Sequence, residues 1–291
     1  MTSTLRFSLF QQLRIKGWVA VTLYSLIGLL VNGLRGIDLT FSVLVCSLFV
    51  LNGYWYIYND YIDAPYDRLD PVKKIRNVFC EGNRQKILLG KIIIYATPVM
   101  SVLLAFFVPL KCSVWVFVLL ILGYLYSAPS FRGKERPFWD WLIHILWVAL
   151  NFVPGYLYFF EADGLFFVLF TLCSLNSLIA QINNEFNDFV VDSLSQHRTT
   201  AIVIGKKNTF YLRLALEFLF VFLLGAVAVH YAFYGTLILL LATFFLFLWF
   251  ERITVFDRID TLKEFVRFRY GHVLTLWVAV WLIEAGVRRL L

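Results

Sequence analysis

Charge is scarce in this chain of 291 residues: only 15% of the residues are charged and 60% are hydrophobic. Soluble domains are about half apolar and about a quarter charged, so this composition excludes an ordinary soluble globular protein. The hydrophobic residues lie in long uncharged runs rather than in amphipathic stripes. These runs predict an integral membrane protein with many spans.

Paired cysteines and nucleic-acid-binding motifs are also missing. The four cysteines contain no C-x-x-C pair, which argues against a disulfide framework or a zinc site. Lysine and arginine exceed aspartate and glutamate by 26 to 19. Because basic loops commonly flank membrane spans, we attribute this excess to topology and expect no nucleic acid partner.

Charged residues separate nine apolar runs, each near the roughly 20 residues that a spanning helix needs. The predicted spans are about 17–34, 39–58, 92–110, 112–131, 141–160, 164–184, 208–229, 233–250 and 270–287. The predicted fold is therefore all-α: a single-domain, polytopic membrane helical bundle with nine transmembrane helices. This count places 22 of the 26 lysines and arginines on one side. That asymmetry predicts a multi-pass protein of the cell membrane with a cytoplasmic N-terminus.

Two acidic motifs with the same spacing stand at the predicted inner ends of the second and sixth spans. The first contains Asn59, Asp60, Asp63 and Asp67, and the second contains Asn184, Glu185, Asp188 and Asp192. The spacing recurs 125 residues later, which suggests an internal pseudo-repeat whose halves face each other. Both motifs are predicted to lie on the cytoplasmic side.

The spacing of the acids indicates a shared helix face. Acids at i, i+3 and i+7 fall within about 60° of one another around a helix. Such carboxylates repel one another unless a cation intervenes, and Mg²⁺ held by carboxylates is typically completed by substrate phosphates. A solvated loop is the alternative for one cluster alone. Pro65 is expected to kink or end the helix between Asp63 and Asp67.

Basic residues follow each acidic motif, as a metal-bound diphosphate would require. They are Arg68, Lys73, Lys74 and Arg76 after the first motif, and Arg198, Lys206 and Lys207 after the second. Between the motifs, a stretch at the end of the fourth span supplies Tyr126 and Lys134. For any single base, positive-inside topology remains the alternative explanation.

These motifs, in this order along nine spans, resemble the UbiA superfamily of intramembrane prenyltransferases. The resemblance implies a bundle around a central cavity that opens to lipid. It implies Mg²⁺ ligands at Asp60, Asp63, Asp67, Glu185, Asp188 and Asp192. It implies substrate contacts from Asn59, Arg68, Lys73, Lys74, Arg198 and Asn184. It implies catalytic roles for Asp63, Asp67, Asp188, Asp192, Lys134 and Tyr126.

The expected reaction moves an isoprenoid group from a prenyl diphosphate to a lipophilic acceptor. The acceptor would be a quinone precursor, a carotenoid or another lipid, and membrane lipid would surround the site. Pro71-Val72-Lys73 stands where quinone-type relatives commonly have a proline- and arginine-rich run. That pattern is more similar to the carotenoid elongase and polyprenyl-phosphate pentosyltransferase branches, so a polyprenyl-phosphate pentosyltransferase is the alternative within the family. A cation- or proton-coupled transporter and an inactive scaffold are the alternatives from other classes. The acceptor stays open.

Overall fold

The computed structural model describes residues 8–68, 71–80, 82–194 and 198–230. The chain divides into two compact units, one formed by residues 1–29 and 36–211 and the other by residues 30–35 and 212–291. All predicted site residues belong to the first unit.

The described residues form helices and contain no strand. Six helices are long and apolar enough to cross a membrane: α4 (Leu39–Asp67), α6 (Arg84–Ala105), α7 (Leu110–Ser127), α8 (Trp139–Phe159), α9 (Gly164–Leu194) and α11 (Lys206–His230). The short helices are α1 (Leu9–Gln12), α2 (Ile15–Thr22), α3 (Ile27–Val31), α5 (Pro71–Arg76) and α10 (Thr200–Ile204), with 3-10 turns at Leu23–Leu26 and Gly133–Glu135. The all-α prediction is confirmed for this part of the chain. The predicted spans 233–250 and 270–287 lie outside the described residues.

The first predicted span is not one regular helix. Residues 15–31 form α2, a 3-10 turn and α3 in succession, which is shorter than the predicted 17–34. The turn lies where this segment meets α8 most closely, because a Cβ added to Gly155 would stand 1.8 Å from the carbonyl oxygen of Ser25. Small residues permit such close backbone approach between membrane helices.

The fourth span ends earlier than the sequence suggests, whereas the second continues further. Helix α7 stops at Ser127 because Ala128 precedes a proline and takes extended angles, with ψ at 131°. Of the two expectations for Pro65, a kink or an end of the helix, the second is wrong, because α4 runs on to Asp67. Proline removes only one helical hydrogen bond there, close to the C-terminus. The three acids of the first motif therefore share one continuous helix.

Helices α4 and α8 form the centre of the unit. Helix α4 packs against α2, α6 and α7, and α8 packs against α7 and α9. A buried polar network joins α4 to α8: Asn52 Nδ2 donates to Asn151 Oδ1 at 3.0 Å, and Trp147 Nε1 donates to Asn52 Oδ1 at 3.0 Å. Amide side chains buried between membrane-spanning helices are stable only when they have hydrogen-bond partners of this kind. The network fixes the rotation of α4, which carries the first acidic motif, relative to α8.

Candidate functional site

The first acid of the first motif is paired with the N-terminal segment. Arg14 Nη1 lies 3.1 Å from Asp60 Oδ1, and the Asp60 side chain is only 2% exposed. The Arg14 guanidinium also stacks over the ring of Tyr56, 4.5 Å from its centre. Burial opposes the charge on Arg14, but Asp60 and Tyr56 outweigh it and raise the pKa of the guanidinium. Arg14 takes a left-handed backbone, with φ at 57°, to reach this position.

The second acid meets the segment that follows α7. Lys134 Nζ forms an ion pair with Asp63 and donates to Asn59 Oδ1 at 2.8 Å. Ser127 Oγ donates to the same Asn59 oxygen at 3.0 Å. The Lys134 side chain is 12% exposed, so the lysine is held within the site rather than in solvent. Two predicted residues of the first motif thus share one predicted catalytic lysine.

The third acid is joined to the first through Asn77. Asn77 Nδ2 donates to Asp67 Oδ2 at 2.8 Å and to the carbonyl oxygen of Asp60 at 2.7 Å. Its own Oδ1 accepts from the backbone N–H of Phe79 at 2.9 Å. Since Asn77 is fully buried, these bonds fold the segment after α5 back against the end of α4.

One lysine connects the two acidic motifs. Lys73 Nζ, on α5, lies 3.2 Å from Asp188 Oδ2, on α9. Arg76 lies one helical turn further along α5. Burial of its guanidinium, followed by the nearby charge of Arg14, lowers its pKa, although Asp60, Asp67 and Asp188 favour the charged form. Acids from both motifs therefore surround the same basic segment.

Glu185 lies deeper than Asp188 and is held by protein donors. Its Oε2 accepts from Trp141 Nε1 at 3.1 Å and from the backbone N–H of Ala201 at 3.0 Å, while Oε1 accepts from Gln181 at 2.9 Å. Asp140, at the start of α8, is also fully buried and accepts from the backbone N–H of Thr200 at 2.6 Å. These bonds attach α10 to α8 and α9.

The remaining predicted residues differ in their placement. Asp192 is buried, and the Tyr126 ring lies 5.8 Å from that of Trp55. The phenol of Tyr126 is close enough to interact with Asp63 and Glu185. Four predicted substrate contacts are exposed: Arg68, Lys74, Asn184 and Arg198.

The sequence interpretation missed several residues of this site. Three of them contact a motif acid directly: Arg14, Asn77 and Arg132. The fourth, Asp140, binds Thr200, which lies next to the Ala201 that Glu185 holds. Asp140 carries a recognisable signal, because it is an isolated acid at the edge of an apolar run. The other three are basic or amide side chains within polar loops, where sequence alone does not distinguish them from topology-determining residues.

Comparison with known proteins shows the family of the chain. The model of the UbiA prenyltransferase family matches residues 21–282. The chain belongs to the UbiA prenyltransferase family. No curated protein matches the sequence significantly. The predicted family resemblance is therefore confirmed.

Solved structures of UbiA homologues share the fold. One from Archaeoglobus fulgidus, bound to GPP and Mg²⁺, has a TM-score of 0.73 at 18% identity and covers 96% of this chain and 99% of that one. The same homologue bound to DMAPP and Mg²⁺ has a TM-score of 0.72 at 17% identity, covering 97% and 99%. An apo homologue from Aeropyrum pernix K1 has a TM-score of 0.67 at 14% identity, covering 94% and 98%.

The donor set of this UbiA chain fits a hard divalent cation. Carboxylate oxygens are the ligands that Mg²⁺ prefers, and Asp60 Oδ2 is buried without a hydrogen-bond partner. Among the described residues, no three acids, histidines or cysteines converge into a preformed cage. The acids are instead paired with Arg14, Lys134 and Lys73.

Proposed function

We propose that this protein is a membrane prenyltransferase that moves an isoprenoid group from an allylic diphosphate to a lipophilic acceptor with the help of Mg²⁺. The observation that carries the proposal is the 3.2 Å contact between Lys73 and Asp188. It brings the basic segment after the first motif against the second motif. A site of this kind has both the acids for metal ions and the bases for a diphosphate. The ligands in the Archaeoglobus homologue, DMAPP or GPP with Mg²⁺, are of the class proposed here.

The residues proposed to hold Mg²⁺ are carboxylates of both motifs: Asp60, Asp63, Asp67, Asp188 and Asp192. When bound, Mg²⁺ supplies Lewis-acid stabilisation of the negative charge on the leaving diphosphate.

The basic residues are proposed to hold and orient the diphosphate. Lys134 and Lys73 each already contact an acid, so a diphosphate entering between the motifs would find both ammonium groups within the site. Charge-assisted contacts of this kind stabilise an oxygen more strongly as its negative charge grows. They therefore favour cleavage of the allylic C–O bond, whose electron pair leaves with the diphosphate.

Aromatic side chains lie deeper along α4 and are proposed to face the prenyl group. Trp55 precedes Asp63 by eight residues, or about 12 Å of helix, and its ring stacks on Trp147 at 4.4 Å. Tyr126 adjoins Trp55 at 5.8 Å. Ring faces stabilise the positive charge that develops on the prenyl carbon without attacking it. The acceptor then forms the new bond to that carbon and releases a proton.

A diphosphate-release assay tests the proposal. Purified protein in lipid nanodiscs, with Mg²⁺ and a labelled allylic diphosphate, should release diphosphate when a suitable acceptor is present. Asp63→Asn and Asp188→Asn should each lower the rate by about 10²-fold or more, because both remove charge that the metal site needs. Asp163→Asn is the control, since Asp163 accepts from Phe166 N and Tyr156 Oη at the other end of α9. Full activity in both site variants would refute the metal-site proposal.

A screen of donors and acceptors resolves the substrate. The Pro71-Val72-Lys73 pattern favours including phosphoribose donors with polyprenyl phosphate beside quinone precursors, carotenoids and glycerol ethers. Products identified by mass spectrometry should belong to one of these classes. Coupled cation uptake into proteoliposomes without any transfer product would instead favour a transporter.

A further inference from the structure

Helix α10 begins at a point fixed by two buried carboxylates from other helices. Thr200 donates its backbone N–H to Asp140 Oδ2 at 2.6 Å and its hydroxyl to Asp140 Oδ1. The same hydroxyl accepts from the backbone N–H of Phe138 at 2.6 Å. The next residue, Ala201, donates its N–H to Glu185 Oε2. The first two N–H groups of α10 are therefore capped from α8 and α9 rather than by Thr199, whose side chain makes no capping bond.

The two carboxylates depend entirely on neutral donors. Among the described residues, neither Asp140 nor Glu185 forms an ion pair, although they are 0% and 4% exposed. They are also close enough to interact with each other. Burying such groups is unfavourable unless hydrogen bonds compensate, and removing a partner leaves the penalty in full. This arrangement fixes the geometry of α10 more rigidly than an exposed cap would.

We propose that Asp140 and Glu185 are positioning residues that hold the start of α10, and with it Arg198, against the diphosphate site. This inference rests on the proposed function. Arg198 is exposed and only two residues before Thr200, so its Cα lies at most about 7 Å from the fixed point. Thr199, between them, is buried. Fixing Thr200 therefore restricts the position of the Arg198 backbone, from which the proposed contact to the diphosphate would be made.

The hydrogen bonds of Glu185 argue against its predicted role as a metal ligand. Both of its oxygens already accept hydrogen bonds, from three donors in all. Asp60, by contrast, has a buried oxygen without a partner. A metal at Glu185 would have to displace the bonds that anchor Trp141 and Ala201.

Kinetics distinguish a positioning residue from a metal ligand. Glu185→Gln and Asp140→Asn preserve side-chain shape, and Asp163→Asn is the matched control because it changes another acid that caps a helix. We expect KM for the prenyl diphosphate to rise about tenfold or more in the two site variants, as expected for a loosened charge-assisted contact. The half-saturating Mg²⁺ concentration should stay within about twofold of the unmodified protein. A rise of about tenfold in that concentration for Glu185→Gln would make it a metal ligand and overturn the proposal.

A double-mutant cycle tests whether the acids act through Arg198. If they do, Arg198→Ala should raise KM strongly in the unmodified protein but by less than about twofold when Asp140→Asn is already present. Independent, multiplying effects of the two substitutions would overturn the proposal.

Amide hydrogen exchange keeps this inference separable from the proposed function. Asp140→Asn replaces one acceptor oxygen with a donor, so exchange at the Thr200 and Ala201 amides should accelerate by about tenfold, while α9 amides near Phe166 keep their rates. This measurement needs no activity. If no donor supports diphosphate release, the proposed function fails, while exchange still reports whether Asp140 and Glu185 hold the start of α10. Unchanged exchange would show that the carboxylates do not hold α10, whatever the activity.

Discussion

Lys73→Gln tests the ion pair between α5, which follows the first acidic motif, and Asp188 of the second motif. The pair is partly exposed, with side-chain exposures of 25% for Lys73 and 36% for Asp188. Ion pairs this exposed contribute only about 0.2 to 1 kcal/mol to stability, so the variant should unfold at nearly the same temperature. A lysine that binds the diphosphate contributes more, because a hydrogen bond to a charged group is worth about 1.5 to 3 kcal/mol. KM for the prenyl diphosphate should therefore rise by roughly 10- to 150-fold.

The chain supplies a matched control for this substitution. Lys111 pairs with Glu161 at 3.0 Å in a more exposed setting, at the opposite end of α7 from Ser127. Lys111→Gln should show the same small stability change and no change in KM. The assay is diphosphate release across a range of donor concentrations, with thermal unfolding of the same preparations in detergent. Equal KM values for Lys73→Gln and Lys111→Gln would refute the reasoning, as would a stability loss in Lys73→Gln above about 2 kcal/mol, since the lysine would then be structural.

Two further substitutions test the packing around the site. Asn77→Ala removes three buried hydrogen bonds and should destabilise the fold by about 2 to 4 kcal/mol. The control, Asn83→Ala, removes an exposed helix cap and should lower the free energy of unfolding by about 1 kcal/mol. Equal unfolding temperatures of the two variants would contradict the expectation. Gly155→Ala would place a Cβ 1.8 Å from Ser25 O and should abolish the folded yield, measured as monodisperse protein by size-exclusion chromatography. Gly164→Ala, with nothing within 4 Å of its Cβ, should leave that yield intact.

The helices could be predicted because apolar runs are a direct consequence of the bilayer. A spanning helix must present an uncharged surface over about 20 residues, so the apolar runs locate the helices, although α4 and α9 continue beyond their runs to Asp67 and Leu194. The first span departs from this rule because its shape depends on a contact with Gly155, which lies on a helix more than 100 residues later. Periodicity in the sequence carries no information about such a contact.

The acidic faces were predictable, whereas their partners were not. Spacing alone places Asp60, Asp63 and Asp67 on one side of a helix. Their cationic and amide partners come from elsewhere: Arg14 is 46 residues before Asp60, and Lys134 is 75 residues after Asn59. Nothing local distinguishes these bases from the many that set membrane topology. Only the packing of α2, α4 and α7 brings them to the acids.

The repeat between the motifs extends from spacing to environment. Asp60 and Glu185 occupy the first acidic position of each motif, and both are buried and attach another segment: Asp60 holds Arg14, and Glu185 holds Ala201. Three residues later, Asp63 and Asp188 each face a lysine from a different part of the chain. A step of three residues turns a helix by about 300°, which is 60° short of a full turn. That rotation is enough to set one acid into the packed interior and the next toward a shared polar site. Equal spacing thus produces acids in unequal environments: the first position of each motif is buried against another segment, and the second is paired with a lysine.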